Sequence, residues 1–284
     1  MGIEVNITPA DRILELLNDY PVNGKAVRTY RAKSDGGRRA IAMPNEELNK
    51  WLKTTNRVLR QQFNSWPAFM HGGIKGRSYV SHARPHVDQR CVITVDIRDC
   101  FGSITTNEVA EALRQHLKLP QEVSIALADK LCFRGKLAQG FSTSNYISNL
   151  CLLVVLKDLH KELKRLGIVL TNYVDDIAIS GAIKDKGEAI NLVAHTLSCA
   201  NFAMKKAKVA VMPASRRQVV CGLVVNKRVS LSRDLKRRLL SRVADSSMSA
   251  LTAEGWVANL KNVDEVFMTK FHKLALSKGI LRVR

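Results

Sequence analysis

Three acidic residues in two apolar settings carry the strongest chemical signal in this sequence. Asp96 closes the β-branched run Val92-Ile93-Thr94-Val95, and Asp175-Asp176 lie inside Tyr173-Val174-Asp175-Asp176-Ile177-Ala178-Ile179. Short apolar arms around a polar centre read as a β-hairpin whose turn carries carboxylates. Adjacent carboxylates beside a buried strand repel one another and are costly to keep charged unless a cation lies between them. Two Mg²⁺ ions roughly 3.5–4 Å apart would resolve the repulsion, and such a pair suits phosphoryl transfer. Taken singly, each piece also fits an ordinary turn: an Asp ending a strand, or an Asp-Asp pair in a solvated loop.

The surrounding pattern supplies elements able to hold these residues. Lys33-Ser34-Asp35-Gly36-Gly37-Arg38-Arg39 reads as a hairpin turn between short strands. Helical spacing of Leu48, Trp51, Leu52, Leu59 and Phe63 predicts a helix from Asn45 to Phe63. His71 to Ser78, with three glycines, is a loop, and Cys91 to Ile97 is a strand. A long helix is expected from Asn145 to Leu166, with Ile147, Leu150, Cys151, Val154 and Leu159 on one face. A hairpin follows over Val169 to Ser180, a second amphipathic helix over Glu188 to Phe202, a strand over Val219 to Val225, and a basic helix from Asp234 to Val243. Mixed elements joined by hairpins favour α+β with an antiparallel sheet.

Composition narrows the partners. The 284 residues include 45 Lys and Arg against 25 Asp and Glu, a net charge of +20, and 46% are hydrophobic. A surface that positive repels itself unless a polyanion covers it, and nucleic acid is the commonest such partner. The basic residues are spread along the whole chain, with no dominant basic amphipathic segment, which disfavours a membrane surface. Met1 to Ala10 has no signal-peptide pattern, Asn6 stands where a myristoylation signal wants Ser or Thr, and the apolar run Leu150 to Leu156 is too short to span a bilayer. Cys91, Cys100, Cys132, Cys151, Cys199 and Cys221 form no C-x-x-C pair and read as buried free thiols in a reducing cytoplasm.

Several segments then align with one family. Asp96-Ile97-Arg98-Asp99-Cys100-Phe101-Gly102-Ser103-Ile104 resembles the first palm motif of retron and group II intron reverse transcriptases, and Tyr173 to Asp176 their Tyr-x-Asp-Asp box. Leu137-Ala138-Gln139-Gly140-Phe141-Ser142-Thr143-Ser144 resembles their Leu-Pro-Gln-Gly segment, and Phe202 to Lys208 the lysine-bearing motif that follows. His71 to Ser78 with Ala83-Arg84-Pro85-His86, and Val220-Cys221-Gly222, are similar to retron segments. The order holds from about Lys33 to Arg242. The departures are Ala138, Ser142 and Asn145 in place of prolines, Cys100 and Gly102 for Phe and Pro, His82 for Asn, and Cys221 for Thr.

The resemblance implies a right-hand polymerase: an N-terminal segment and fingers over 1–90, an antiparallel-sheet palm with interleaved fingers helices over 91–215, and a small helical thumb over 216–284. It implies RNA-directed DNA synthesis in the bacterial cytoplasm, with metals held by Asp96, Asp175, Asp176 and the main chain of Ile97. Lys33, Arg39, Phe101, Gln139 and Lys208 are the expected nucleotide contacts. Phe101 stands at the family's steric-gate position and Lys208 at the pyrophosphate side. Arg39 also fits a solvated hairpin charge, and Phe101 plain core. Arg77, His86, Arg216, Arg217, Arg233, Lys236, Arg237, Arg238 and Arg242 are expected on RNA, although charge runs are usually a solvated face. His82 and His86 read as structural or RNA-contacting. Expected partners are a structured noncoding RNA template-primer, the branched RNA–DNA hybrid product, deoxynucleoside triphosphates and an effector protein in anti-phage defence, with no membrane. The rivals are a differently primed defence reverse transcriptase, an RNA-binding scaffold for a toxin, and an RNA-dependent RNA polymerase.

Overall fold

The computed structural model describes residues 8–32 and 36–282. Helix α1 (Pro9–Asn18) starts with a capping box in which Thr8 and Asp11 exchange hydrogen bonds. Strands β1 (Ala26–Ala32) and β2 (Arg38–Pro44) pair antiparallel from Ala26↔Pro44 to Ala32↔Arg38. These are the arms of the expected hairpin; Lys33 lies outside the described residues. Asn45 caps α2 (Glu46–Gln62), accepting from the Leu48 amide at 3.1 Å and donating to the Asn23 carbonyl at 2.8 Å, so one side chain starts the helix and closes the hairpin base. A glycine-bearing loop leads to α3 (Tyr79–Ala83) and a 3₁₀ turn at Arg84–His86.

The next elements are β3 (Cys91–Arg98), α4 (Cys100–Ser103), α5 (Thr106–Leu117), α6 (Gln121–Leu131) and the small hairpin β4 (Cys132–Phe133)–β5 (Lys136–Leu137). Then come α7 (Ser144–Arg165), β6 (Val169–Tyr173), β7 (Asp176–Gly181), α8 (Lys186–Cys199), β8 (Ala203–Met204) and β9 (Ala210–Pro213). The sheet is antiparallel in order β6-β7-β3-β8, with β9 also on β3. Strand β3 is central and buried on both faces, and its period of two divides its side chains. Cys91, Ile93, Val95 and Ile97 enter the larger core with α5, α7 and α8, whereas Val92 joins a second core with Ala178 and Met212. Asp96 continues the face of Val92 and Thr94.

That second core is completed by the hairpin β10 (Val219–Val220)–β11 (Leu223–Val224) and by helices α9 (Arg233–Ala244), α10 (Ala250–Val263) and α11 (Glu265–Ser277). The continuous strand expected over Val219 to Val225 is instead this hairpin. Cys221 and Gly222 both have positive φ (45° and 79°), which reverses the chain in two residues. The helix expected from Glu188 to Phe202 ends at Cys199, and Phe202 turns into the larger core. Val154 is 42% exposed rather than on the packed face of α7, where Leu153 and Leu156 are buried. All six cysteines are free, but only Cys91, Cys100 and Cys151 are buried; Cys199 is exposed. No helix among the described residues is long and apolar enough to cross a membrane.

Three buried histidines tie the 3₁₀ turn to the sheet. Thr171 Oγ1 lies 2.7 Å from His82 Nδ1 and 2.6 Å from His86 Nε2, and His86 Nδ1 lies 2.7 Å from Ser180 Oγ. His71 Nδ1 meets Ser81 Oγ at 2.9 Å. Burial, reinforced by neighbouring cationic groups, pulls the rings down to about 4 for His71, about 3 for His82 and about 4 for His86. Unfolded histidines titrate near 6.5. Below that pH the unfolded chain takes up protons that the fold refuses, so stability is whole above about 6.5 and drains away toward 4. Each ring contributes a slope of up to about 1.4 kcal/mol per pH unit. Urea unfolding at pH 7, 6 and 5 should show this decline, and His82→Asn should flatten it. Equal pH dependence in the two proteins would remove His82 from the network.

Candidate active site

The β3–β7 register places Asp96 directly opposite Asp176, and Asp175 occupies the turn between β6 and β7. That turn is tight: Tyr173 pairs with Asp176, leaving Val174 and Asp175 to reverse the chain, with Val174 at φ 58°. A β-branched residue is strained there and stays only if its surroundings hold it. Asn172, fully buried, donates to the Val174 carbonyl at 3.0 Å. Gly72 lies so close that a Cβ on it would meet Val174 N and Cγ2 at 2.5 Å. The Gly72 carbonyl accepts from Asn149 of α7 at 2.5 Å, and the His71 amide donates to the Asn172 carbonyl at 2.8 Å. On the other side, the Ile97 amide donates to the Asp175 carbonyl at 2.9 Å, fastening the turn to β3.

Electrostatics follow from this crowding. Burial raises the pKa of both Asp175 and Asp176; Asp96 adds to the rise at Asp175, and Asp175 to that at Asp176. Lys208 donates to Asp96 Oδ2, and that bond raises the lysine's own pKa. The Lys205 amide holds the Asp96 carbonyl at 2.8 Å. The Cys221 thiol donates to Asp176 Oδ2 at 3.6 Å, and burial pushes that thiol far up. Arg39 is near enough for its charge to lower Asp175. Among the described residues, no three His, Cys, Asp or Glu side chains form a ready-made metal cluster. The donor set nevertheless fits a hard divalent cation: three acceptor-only carboxylates, two with raised pKa, and a protein ammonium already on the third.

Other expected contacts fall in distinct places. Gln139 is half-buried, and its carbonyl accepts from the Ala42 amide of β2 at 2.8 Å, joining this segment to the same strand as Arg39. Phe101 is partly buried against the larger core on α4. The main chain of Ile97 pairs with Met204 of β8. Lys208, expected near the pyrophosphate, is instead bonded to Asp96. The structure contradicts two of the expected RNA ligands. The Arg77 guanidinium is spent on the main-chain carbonyls of Trp66, Pro67 and Met70, and His86 is fully buried. Lys236 is also a poor RNA ligand, because its ammonium sits 2.5 Å from the buried carboxylate of Asp264 and over the Phe267 ring. Arg216, Arg217, Arg233, Arg237, Arg238 and Arg242 are exposed or half-exposed, with Asp234 shared between Arg217 and Arg237. Sequence reasoning missed Gly72, Asn172 and the thiol of Cys221. The glycine pair Gly72-Gly73 was the one local signal of a close backbone approach.

Comparison with known proteins agrees with this geometry. The family model for reverse transcriptase (RNA-dependent DNA polymerase) matches residues 31–225. The chain is 27% identical over 194 residues to the retron Se72 reverse transcriptase of Salmonella heidelberg (strain 579083-10), covering 66% of this chain and 51% of that protein. It is 26% identical over 226 residues to the retron Ec48 reverse transcriptase of Escherichia coli, covering 75% and 55%. The chain thus spans about half the length of these curated relatives. Among solved structures, a Candida albicans telomerase in complex with a fragment of telomeric RNA matches with TM-score 0.54 at 11% identity, covering 93% of this chain and 56% of that one, a likeness of fold. With the right-hand fold, the carboxylate register and the family match over most of its length, the chain belongs to the reverse transcriptase family, and the curated relatives it matches are retron-type members.

Proposed function

We propose that this chain is an RNA-directed DNA polymerase that extends a primer along a bound, structured noncoding RNA, using two Mg²⁺ ions. The observation that carries the reading is the placement of Asp96 opposite Asp176 with Asp175 in the intervening turn. Asp96 and Asp175 would hold both ions, with Asp176 and the Ile97 main chain assisting. When bound, the ions supply charge neutralisation at the reacting phosphates and a more acidic primer hydroxyl. The protein's own groups do the positioning. Arg39 on β2 faces the triphosphate, Gln139 holds the nucleotide side of the same strand, and Phe101 lies beneath the sugar. Lys208, which bonds Asp96, would be available as a cation for the pyrophosphate side if a metal were held by that carboxylate. The exposed arginines of the thumb grip the duplex by its phosphates.

In the finer reading, the primer is the 2′-hydroxyl of a guanosine in the bound RNA, and the product is a branched RNA–DNA hybrid serving anti-phage defence. Similarity to retron enzymes supports this, and the divergent His82 and Cys221 lie in the segments where retron resemblance is read. Extraction of nucleic acid from the protein expressed with its upstream region tests it. Gel mobility should change on both ribonuclease and debranching treatment. DNA without an attached ribonucleotide points to a differently primed enzyme.

Three substitutions probe the roles. Asp175→Asn with Asp176→Asn should abolish primer extension while RNA affinity stays within about twofold; extension at the wild-type rate removes the site. Phe101→Ala should raise ribonucleotide over deoxyribonucleotide incorporation by about tenfold or more, equivalent to roughly 1.4 kcal/mol of lost discrimination. Unchanged sugar choice in an active variant makes Phe101 core alone. Changing Arg237, Arg238 and Arg242 together to Ala should weaken RNA binding and lower the log–log salt slope by roughly 0.7–0.9 for each phosphate no longer neutralised. An unaltered slope puts α9 in solvent.

A further inference from the structure

A cavity of about 530 Å³ is lined by Phe63, Arg114, Gln115, His116, Lys118 and Lys157. None of these residues comes from the strands that carry the carboxylates; they belong to the end of α2, the end of α5 and the middle of α7. Arg114 and Gln115 are both engaged by Glu111, with hydrogen bonds of 2.9 and 2.7 Å from Arg114 and 2.6 Å from Gln115. Lys118 and Lys157, by contrast, form no ion pair within 4 Å among the described residues, although the charge of Lys157 reaches its neighbour Asp158. Both lie near enough to His116 to lower its basicity further, after burial. Lys118 is also held in the left-handed region at φ 56°, where Gly or Asn is the usual helix terminator, so an exposed lysine is presented at the expense of backbone strain. The floor is aromatic: the Phe63 ring lies 5.4 Å from His116 and edge-on to Trp66 at 4.9 Å. His116 Nε2 is buried, and the ring lies within reach of the Leu150 carbonyl of α7.

We propose that this cavity is an accessory site for one phosphate-bearing, unpaired nucleotide of the bound RNA, outside the carboxylate cleft. Lys118 and Lys157 hold the phosphate. The Phe63 ring is the surface on which the base lies, with His116 tilted 54° beside it, since stacking on an aromatic ring tolerates any base. An acidic peptide would satisfy the lysines but would leave the Phe63 ring unused, which favours a nucleotide. The site rests on the RNA-copying reading, because it anchors the RNA that the enzyme copies.

The probe is the His116 ring resonance in the whole protein, assigned by its loss in His116→Gln. A ten-nucleotide single-stranded RNA of mixed sequence should shift it, inorganic phosphate should shift it at higher concentration, and decaglutamate should not. Lys118→Gln with Lys157→Gln should abolish the RNA-induced shift, and lower the log–log salt slope of RNA binding by roughly 0.7 for each lysine that had neutralised a phosphate. A His116 signal unmoved by saturating RNA overturns the site. A larger response to decaglutamate than to RNA also overturns it and makes the cavity a protein-docking surface. Primer extension by the wild-type protein on a pre-annealed oligonucleotide duplex reports separately on the polymerase reading, so failure of one does not stand for failure of the other.

Discussion

Asp96 faces Asp176 across an antiparallel ladder, and Asp175 precedes Asp176 at the turn, so three carboxylates share one end of the inner strand pair β3–β7. Cross-strand neighbours stand roughly 5 Å apart. At an effective dielectric of about 20, two unit charges at that separation repel by about 3 kcal/mol. A carboxylate whose pKa is raised on folding withdraws stability as pH climbs above its unfolded value, and both Asp175 and Asp176 are raised. The surroundings answer this repulsion piece by piece: Lys208 bonds Asp96, Cys221 donates to Asp176, and the field of Arg39 reaches Asp175. The site is held together by the rest of the fold against its own electrostatics.

The strain in the turn needs the same outside support. Val174 keeps its unfavourable φ because Asn172 bonds its carbonyl and Gly72 packs flat against it, while Asn149 on the long helix α7 fixes Gly72. The turn is therefore clamped between the glycine loop before α3 and strand β3. Strand β3 serves two cores at once, one with the helices behind the sheet and one with the thumb. The hairpin that roots the thumb places Cys221 on Asp176. Gln218 before it is fully buried and donates to the carbonyls of Gln89 and Met212. The hairpin thus touches a carboxylate directly, through the Cys221 thiol.

How much of this the sequence disclosed depends on whether the signal was local. The β-branched run ending in Asp96 and the apolar arms around Asp175-Asp176 are period-two patterns, and the structure pairs them as that pattern requires. Asn45 to Phe63 carried both a cap and helical spacing, and the helix starts and stops there. Cys221-Gly222 was read as part of a strand because β-branched neighbours outvoted a turn whose first residue is not glycine. Arg77 and His86 looked like RNA ligands because charge type alone does not tell which carbonyls or hydroxyls a side chain will meet after folding. Lys236 misled for the same reason, because its partner Asp264 lies on a different helix boundary, beyond α10. Where prolines were expected to stiffen the segment at Ala138, the main chain supplies its own closure, with the Phe141 amide bonded to the Ala138 carbonyl at 3.3 Å and the Ser144 amide to the Phe141 carbonyl at 3.2 Å.

The charge of the molecule has two scales with opposite local signs. Over the whole chain +20 draws in a polyanion, and exposed arginines on α9 and around Arg216 carry part of that field. At the reaction centre the sign reverses, with three carboxylates against Lys208 and Arg39. A triphosphate drawn to the surface would be repelled at its destination by that residual negative charge. On the proposed reading, divalent cations held by Asp96, Asp175 and Asp176 would let both demands hold together, because they would lower the repulsion that an approaching polyphosphate meets. Lys208 illustrates the exchange. Its bond to Asp96 keeps that carboxylate paired, and a divalent ion at the same carboxylate would leave the lysine's charge available to a phosphate. In the proposed function, a divalent cation at the carboxylates would reconcile attraction at long range with repulsion at short range, and grip on nucleic acid and chemistry on nucleotide would rest on separate residues.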